Sequence, residues 1–272
     1  MLTIVITGAS DGIGAASARQ LAGKGHRVVL VGRSPAKTEA LARALDVPCH
    51  VADYTRLQDV RRLAGELSRY PRIDVLANNA GGIMAAREVT VDGFERTFQV
   101  NHLAPFLLTA LLMSRLIACR AKVIQTASVA ANLYGLRFDV DDLGAERGYQ
   151  PQRAYGNAKL ANILFTRELH RRHGAEGLSA VAFHPGIVRS RFASDTTHPM
   201  RWLYHSPLKY LFTISAEAGG RRLTALAEGR PGVDWQPGLV YDGDRPMPVR
   251  FRDDDGRIAR ELWTRSEAMV TA

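Results

Sequence analysis

Short runs of β-branched and aliphatic residues alternate along this chain with longer stretches whose apolar positions recur every three or four residues. The short runs predict strands at Leu2–Thr7, Arg27–Val31, Pro48–Ala52, Ile73–Ala77, Lys122–Ala127, Leu178–His184 and Gly238–Tyr241. The longer stretches predict helices from about Ile13 to Lys24, Pro35 to Leu45, Leu57 to Tyr70, Val91 to Cys119, Gln152 to His173 and Gly256 to Met269. A break near Pro105 is expected inside the fourth of these. Residues 198–228 read as helical with interruptions. Strand–helix alternation of this kind predicts an α/β fold: a doubly wound parallel β-sheet of about seven strands, flanked by helices on both faces.

At 272 residues the chain suits a single domain, 1–272. No repeat, low-complexity segment or linker interrupts it. Two irregular stretches, 130–151 and 190–216, fall after strands, where loops of such sheets carry function.

Nearly half the residues are hydrophobic, enough for a large core, yet no apolar run reaches the ~18 residues of a membrane span. The N-terminus opens directly on a strand, without a charged leader and cleavable apolar stretch. The expected location is therefore cytoplasmic, and Cys49 and Cys119 are expected as free thiols. No metal-binding histidine spacing occurs. The net charge of +9 comes mainly from arginines scattered over separate helices. A charge excess of this kind suits a nucleic acid, an anionic surface or an anionic ligand. Without a basic stripe or a nucleic-acid module, help in attracting a phosphorylated cofactor is the reading that fits.

The glycine pattern Thr7-Gly8-Ala9-Ser10-Asp11-Gly12-Ile13-Gly14 lies between the first strand and the first helix. Gly8 suits a tight turn, Gly12 admits a pyrophosphate close to backbone, and Gly14 lets helix pack on strand. The helix N-terminus that follows offers free N–H groups to phosphate. Ser10, Asp11 and Ile13 share that loop. The second strand ends at Arg33, where an acid would bind the ribose hydroxyl of NAD. A guanidinium instead suits the 2′-phosphate, so NADP(H) is favoured over NAD(H). Asp53, with Tyr54 beside it, is placed to accept from an adenine amino group, and equally suits a cap or turn. Asn79, Ala80 and Gly81 follow the fourth strand, within reach of the adenosine ribose, and suit a turn as well.

Tyr155 and Lys159 stand four residues apart in a helix, which places phenol and ammonium on one face. A cation beside a phenol favours its ionised form, and a tyrosine so placed can donate or take a proton.

In these stretches the chain resembles the short-chain dehydrogenases/reductases, in the branch of the retinol dehydrogenases and WW-domain oxidoreductases. The residues that carry the resemblance are Thr7–Gly14, 78–81, the run from Val100 to Thr109, Ser128, 154–168 and 184–190. The similarity extends through 217–219 to Leu262-Trp263. It implies a Rossmann fold and a catalytic set of four. Tyr155 would act as general acid/base, and Lys159 would tune it and bind the nicotinamide ribose. Ser128 would hold the reacting oxygen, and Asn101 would hold a relay water. Pro185, Gly186 and Ile187 would lie against the nicotinamide. The chain departs from the usual pattern at Ala158, Ala127 and Ser190, each of which keeps the small size or the hydroxyl. The membrane-bound members carry an N-terminal anchor, for which this sequence has no counterpart.

The implied activity is hydride transfer between the nicotinamide and a lipophilic alcohol or carbonyl compound. Alternatives are a double-bond reductase of the protochlorophyllide-reductase type and an NADP-binding regulator without turnover. Segment 200–212, rich in aromatic and aliphatic residues, reads as a lid over the substrate, a core helix or a membrane-contacting stripe. His102 and Phe138 are expected near the substrate. The resemblance further implies a homodimer or homotetramer paired through the Val91-to-Cys119 and Gln152-to-His173 helices.

Overall fold

The first seven strands run parallel and the eighth returns antiparallel, in the order β3-β2-β1-β4-β5-β6-β7-β8. The computed structural model describes residues 1–186, 214–253 and 256–271. The strands are β1 (Thr3–Thr7), β2 (Arg27–Gly32), β3 (Cys49–Val51), β4 (Val75–Asn78), β5 (Lys122–Thr126), β6 (Ser179–His184), β7 (Val240–Asp242) and β8 (Arg245–Pro246). The sheet thus has one strand more than expected. The extra one is a two-residue hairpin return at Arg245, too short to leave a periodic signal.

The principal helices are α1 (Gly12–Gly23), α2 (Pro35–Leu45), α3 (Leu57–Leu67), α4 (Arg96–Phe98), α5 (Ala104–Leu111), α6 (Met113–Ala118), α7 (Ala130–Tyr134), α8 (Pro151–His173), α9 (Ala216–Glu228) and α10 (Arg257–Thr271). The strands bury both faces. Ile4, Ile6, Val28 and Leu30 pack with α1 and α9. Val5, Leu76 and Val123 face α3, α5, α8 and α10.

The helix predicted from Val91 to Cys119 is not one helix. A π-helical turn, Gln99–Leu103, joins α4 to α5, and a second break at Leu112 divides α5 from α6. The first break is the one expected near Pro105: helical backbone runs on through Leu103 and Ala104, and a proline there lacks its N–H and crowds the carbonyl four residues back. The π turn contains Asn101, in keeping with the occurrence of such turns at functional sites.

Strand order reverses between β1 and β4, and loops leaving the carboxyl ends of neighbouring strands part there to form a crevice. Gly8, Asn79 and Pro185 follow directly on parallel strands and Ser128 comes two residues after one, so all four gather at one edge of the sheet. On the α8 side, Trp263 of α10 stacks on Phe165 at 5.6 Å and meets Phe106 edge-on at 5.1 Å, while Arg172 lies over its ring. One side of the middle turns of α8 is therefore covered by α10.

Among the described residues no helix is long and apolar enough to cross a membrane. No group of three His, Cys, Asp or Glu side chains could hold a metal there. Cys49 and Cys119 are free.

Candidate active site

Gly8 turns the chain at φ 64°, and a Cβ there would come within 2.8 Å of the Ala80 Cα. A Cβ on Gly14 would meet the Gly8 carbonyl at 2.4 Å and Asn79 Nδ2 at 2.7 Å. The loop after β1 and the loop after β4 are thus pressed together at backbone distance, which only glycine permits. Thr7 locks them. Its hydroxyl accepts from the amides of Asn79 and Ala80, both at 3.0 Å, and Asn79 Nδ2 donates to the Thr7 carbonyl at 2.9 Å. This hub was not foreseen from the sequence, although Thr7 opens the glycine pattern.

Asp11 is the N-cap of α1, its carboxylate accepting from Gly12 at 2.8 Å. The charge is matched by Lys37, 3.0 Å away. Ser10 lies against Gly32, where a Cβ would meet Ser10 Oγ at 3.1 Å and Thr38 Oγ1 at 2.2 Å. The end of β2 is therefore drawn beside the glycine loop, and Arg33 follows it, exposed and without an ion pair among the described residues. Ile13 completes the first turn of α1.

Asp53 and Tyr54 follow β3. The Asp53 carboxylate accepts from the Thr55 amide at 2.9 Å, so it makes the turn that its sequence position equally allowed. The Tyr54 side chain lies in the core at 5 % exposure, where burial pushes its phenol pKa up.

The catalytic candidates converge around Gly81. A Cβ on this residue would fall 2.5 Å from Asn101 Oδ1 and 3.1 Å from Lys159 Nζ. Asn101 is fixed by three hydrogen bonds: Oδ1 accepts from Gly82 N at 3.1 Å, and Nδ2 donates to Gly82 O at 2.7 Å and Thr97 O at 2.8 Å. Lys159 is 2 % exposed and donates to the Thr126 carbonyl at 3.0 Å. Burial lowers its pKa from 10.5 to about 7, so amine and ammonium are both accessible near neutrality. Its Nζ lies 5.4 Å from the centre of the Tyr155 ring, one turn back on α8.

Ser128 Oγ accepts from Ala130 N at 3.2 Å, just before α7. A hydroxyl that accepts there still has its own hydrogen to give. Gly156 explains how α7 comes so near: a Cβ on it would meet Tyr134 Cβ at 2.7 Å and the Ala130 carbonyl at 2.8 Å. The residue after Tyr155 must therefore be small for α7 to pack on α8. At the neighbouring strand end Pro185 is buried and Gly186 turns at φ 93° against Ile214. Ile187 and segment 200–212 lie outside the described residues.

His102 is not at the crevice. It is 1 % exposed, among Phe98, Phe106 and Phe165, with Nε2 2.9 Å from Ser266 Oγ of α10. Phe138 packs against Phe251 at the edge of the core. An apolar i, i+4 pattern, Phe98-His102-Phe106, was the available sign that position 102 faces inward.

Residues 2–201 match the short chain dehydrogenase family model. The chain belongs to the short-chain dehydrogenase family. It is 41 % identical over 276 residues to a candidate daunorubicin C-13 ketoreductase, DnrU, of Streptomyces sp. (strain C5), covering 98 % of this chain and 92 % of that one. It is 34 % identical to human retinol dehydrogenase 13 over 98 % of this chain and 84 % of the relative. A crystal structure of an uncharacterized protein from Mycobacterium paratuberculosis superposes with a TM-score of 0.78 at 35 % identity, covering all of this chain and 94 % of that one. The family and its named dehydrogenases and ketoreductases make this chain an oxidoreductase of CH–OH and C=O groups that uses a nicotinamide cofactor. The chain's own geometry fits that cofactor. Gly8 and Gly14 let the loops after β1 and β4 close at backbone distance, Gly81 lets Asn101 and Lys159 approach, and the N-terminus of α1 opens beside them.

Proposed function

We propose that this protein is an NADP(H)-dependent carbonyl reductase or alcohol dehydrogenase for a lipophilic substrate, with Tyr155 as proton donor and acceptor. The convergence of Asn101 and Lys159 on the single missing side chain of Gly81 is the observation that carries this reading. A nicotinamide held in the cradle supplies or takes the hydride. The loop from Gly8 to Gly14 binds its pyrophosphate, Asn79 to Gly81 underlie its ribose, and Arg33 takes the 2′-phosphate. Pro185, Gly186 and Ile187 orient the nicotinamide.

Negative charge grows on the substrate oxygen as a carbonyl is reduced. Donors fixed in advance at that oxygen lower the barrier without reorganising. Ser128 donates its hydroxyl hydrogen there, and Tyr155 donates its phenolic proton. Lys159, anchored on the Thr126 carbonyl, holds charge next to the resulting phenolate. Asn101 keeps its amide oriented for a relay water through its bonds to Gly82 and Thr97. Segment 190–216 covers the substrate, and the protein works in the cytoplasm. A substrate of ketone type is supported by the ketoreductase relative, and lipophilicity by the retinol dehydrogenases.

A panel of lipophilic aldehydes, ketones and alcohols, each offered with NADPH/NADP and NADH/NAD, tests the reading with wild type and Tyr155→Phe. Turnover with NADPH is expected in the wild type, falling at least ~1000-fold in the variant while cofactor affinity stays within threefold, the loss typical of removing a general acid/base. Equal turnover in the variant would remove Tyr155 from the mechanism.

A further inference from the structure

Polar side chains buried in an apolar core are costly unless every one is bonded. Four of them line up between α10 and the lysine of the site: Ser266 at 0 % exposure, His102 at 1 %, Asn162 at 2 % and Lys159 at 2 %. Lys159 Nζ donates to the Thr126 carbonyl at 3.0 Å, and Asn162 Nδ2 donates to the same oxygen at 3.4 Å. Because that carbonyl only accepts, the Asn162 amide must turn its NH2 toward it. Asn162 Oδ1 then faces His102 Nδ1 at 3.4 Å, so Nδ1 carries the hydrogen. His102 Nε2 is left bare and accepts from Ser266 Oγ at 2.9 Å. Every bond in the sequence points the same way, toward Thr126.

We propose that His102 is a positioning residue: with Ser266 and Asn162 it forms a directed hydrogen-bond chain that sets the Thr126 carbonyl on which Lys159 is anchored. The chain rests on the role given above to Lys159, and it crosses from the π turn to α8 and from there to the end of β5. The aromatic shell supplied by Phe98, Phe106 and Phe165 keeps the imidazole neutral, with its pKa lowered to about 4 by burial. Neutrality is what gives the ring one donor and one acceptor. Cooperative chains polarise each link, so the carbonyl at the end is shared between two donors in a fixed ratio. With Asn162 silent, the ammonium has that oxygen to itself. Around Lys159, the Tyr155 ring and the Asn101 amide are the neighbouring groups, and burial is the sole cause of its lowered pKa.

The protein has five lysines, so 13C-labelled lysine NMR of the ligand-free full chain can follow the Lys159 titration directly. Asn162→Leu and His102→Phe should both raise its midpoint by about half a pH unit, since the ammonium then gains the shared acceptor. Ser266→Ala should move it the same way by less. His102→Asn, which keeps a donor on the Asn162 side, should restore the wild-type midpoint. A midpoint unchanged within ~0.2 pH unit in Asn162→Leu and Ser266→Ala, alongside lowered thermal stability, would show that these groups merely pack, the one-unit scale being 1.36 kcal/mol. The titration is read without turnover. A wild type inactive on every carbonyl would sink the proposed function and leave this result standing.

Discussion

Lys37 reaches across the mouth of the glycine loop and closes an ion pair with Asp11 at 3.0 Å. The one acid of that loop is thereby matched, and it is also tied to the α1 amides as an N-cap. A carboxylate beside a phosphate site is tolerable when its charge is answered in place. Among the described residues Arg33, at the end of β2, has no ion-pair partner.

Arg33→Asp should therefore move cofactor preference from NADP toward NAD by about 100-fold or more in the ratio of kcat/KM values, because it removes a bidentate donor and adds repulsion. Steady-state kinetics with both cofactors measures it. An unchanged ratio would assign the 2′-phosphate to another group.

Lys159 is kept at the expense of stability. Its pKa falls from 10.5 in the open to about 7 when folded, so the unfolded chain binds more protons between those values. Stability from this group rises with pH across that window and is lost as pH falls toward 7, a difference on the order of 4 kcal/mol. Lys159→Met should accordingly raise the thermal midpoint at pH 7 by several degrees while abolishing turnover, the trade between stability and activity expected at a working site. Thermal denaturation of the two proteins at pH 7 and pH 10 checks it. The gap between them should narrow at the higher pH.

His102 and His184 make the fold sensitive to acid. Burial lowers both from 6.5 to about 4. Each folded value is depressed, so the contribution is fully present above 6.5 and disappears as pH falls through 4. Together they should withdraw a few kcal/mol over that interval. Urea titrations at pH 7 and pH 4.5 would show it, and His102→Phe should flatten the slope even if it lowers stability overall.

Trp263 fixes α10 to α8 through Phe165, Phe106 and the overlying Arg172. Trp263→Ala should cost about 3–5 kcal/mol, the range for emptying a large aromatic site. Equilibrium unfolding would measure this. Light scattering should report association of the variant, since it bares the α8 face that α10 covers in the native chain.

Periodicity placed the strands and α2 almost to the residue, because their apolar patterns are decided by which face meets the core. The glycine loop and the Tyr155/Lys159 pair were legible for a similar reason: each is local in sequence. The π turn at Gln99–Leu103 was not, since one extra residue in a helical pattern leaves the same apolar residues in place. Nor was α7, whose packing depends on Gly156 and Gly135 rather than on its own composition. The turn at Asp53 was legible as one of two readings, because a carboxylate two residues before a free amide can close a turn. The Thr126 carbonyl that anchors Lys159 could not be seen at all, because a backbone oxygen carries no letter in the sequence.

The seating of α10 has a bearing on biosynthesis. A ribosome delivers Phe106 and Phe165 long before Trp263, so the growing chain carries an uncovered aromatic surface until α10 emerges. Chaperone engagement should concentrate on that interval, and prematurely terminated chains should be cleared rather than accumulate as half-working enzyme.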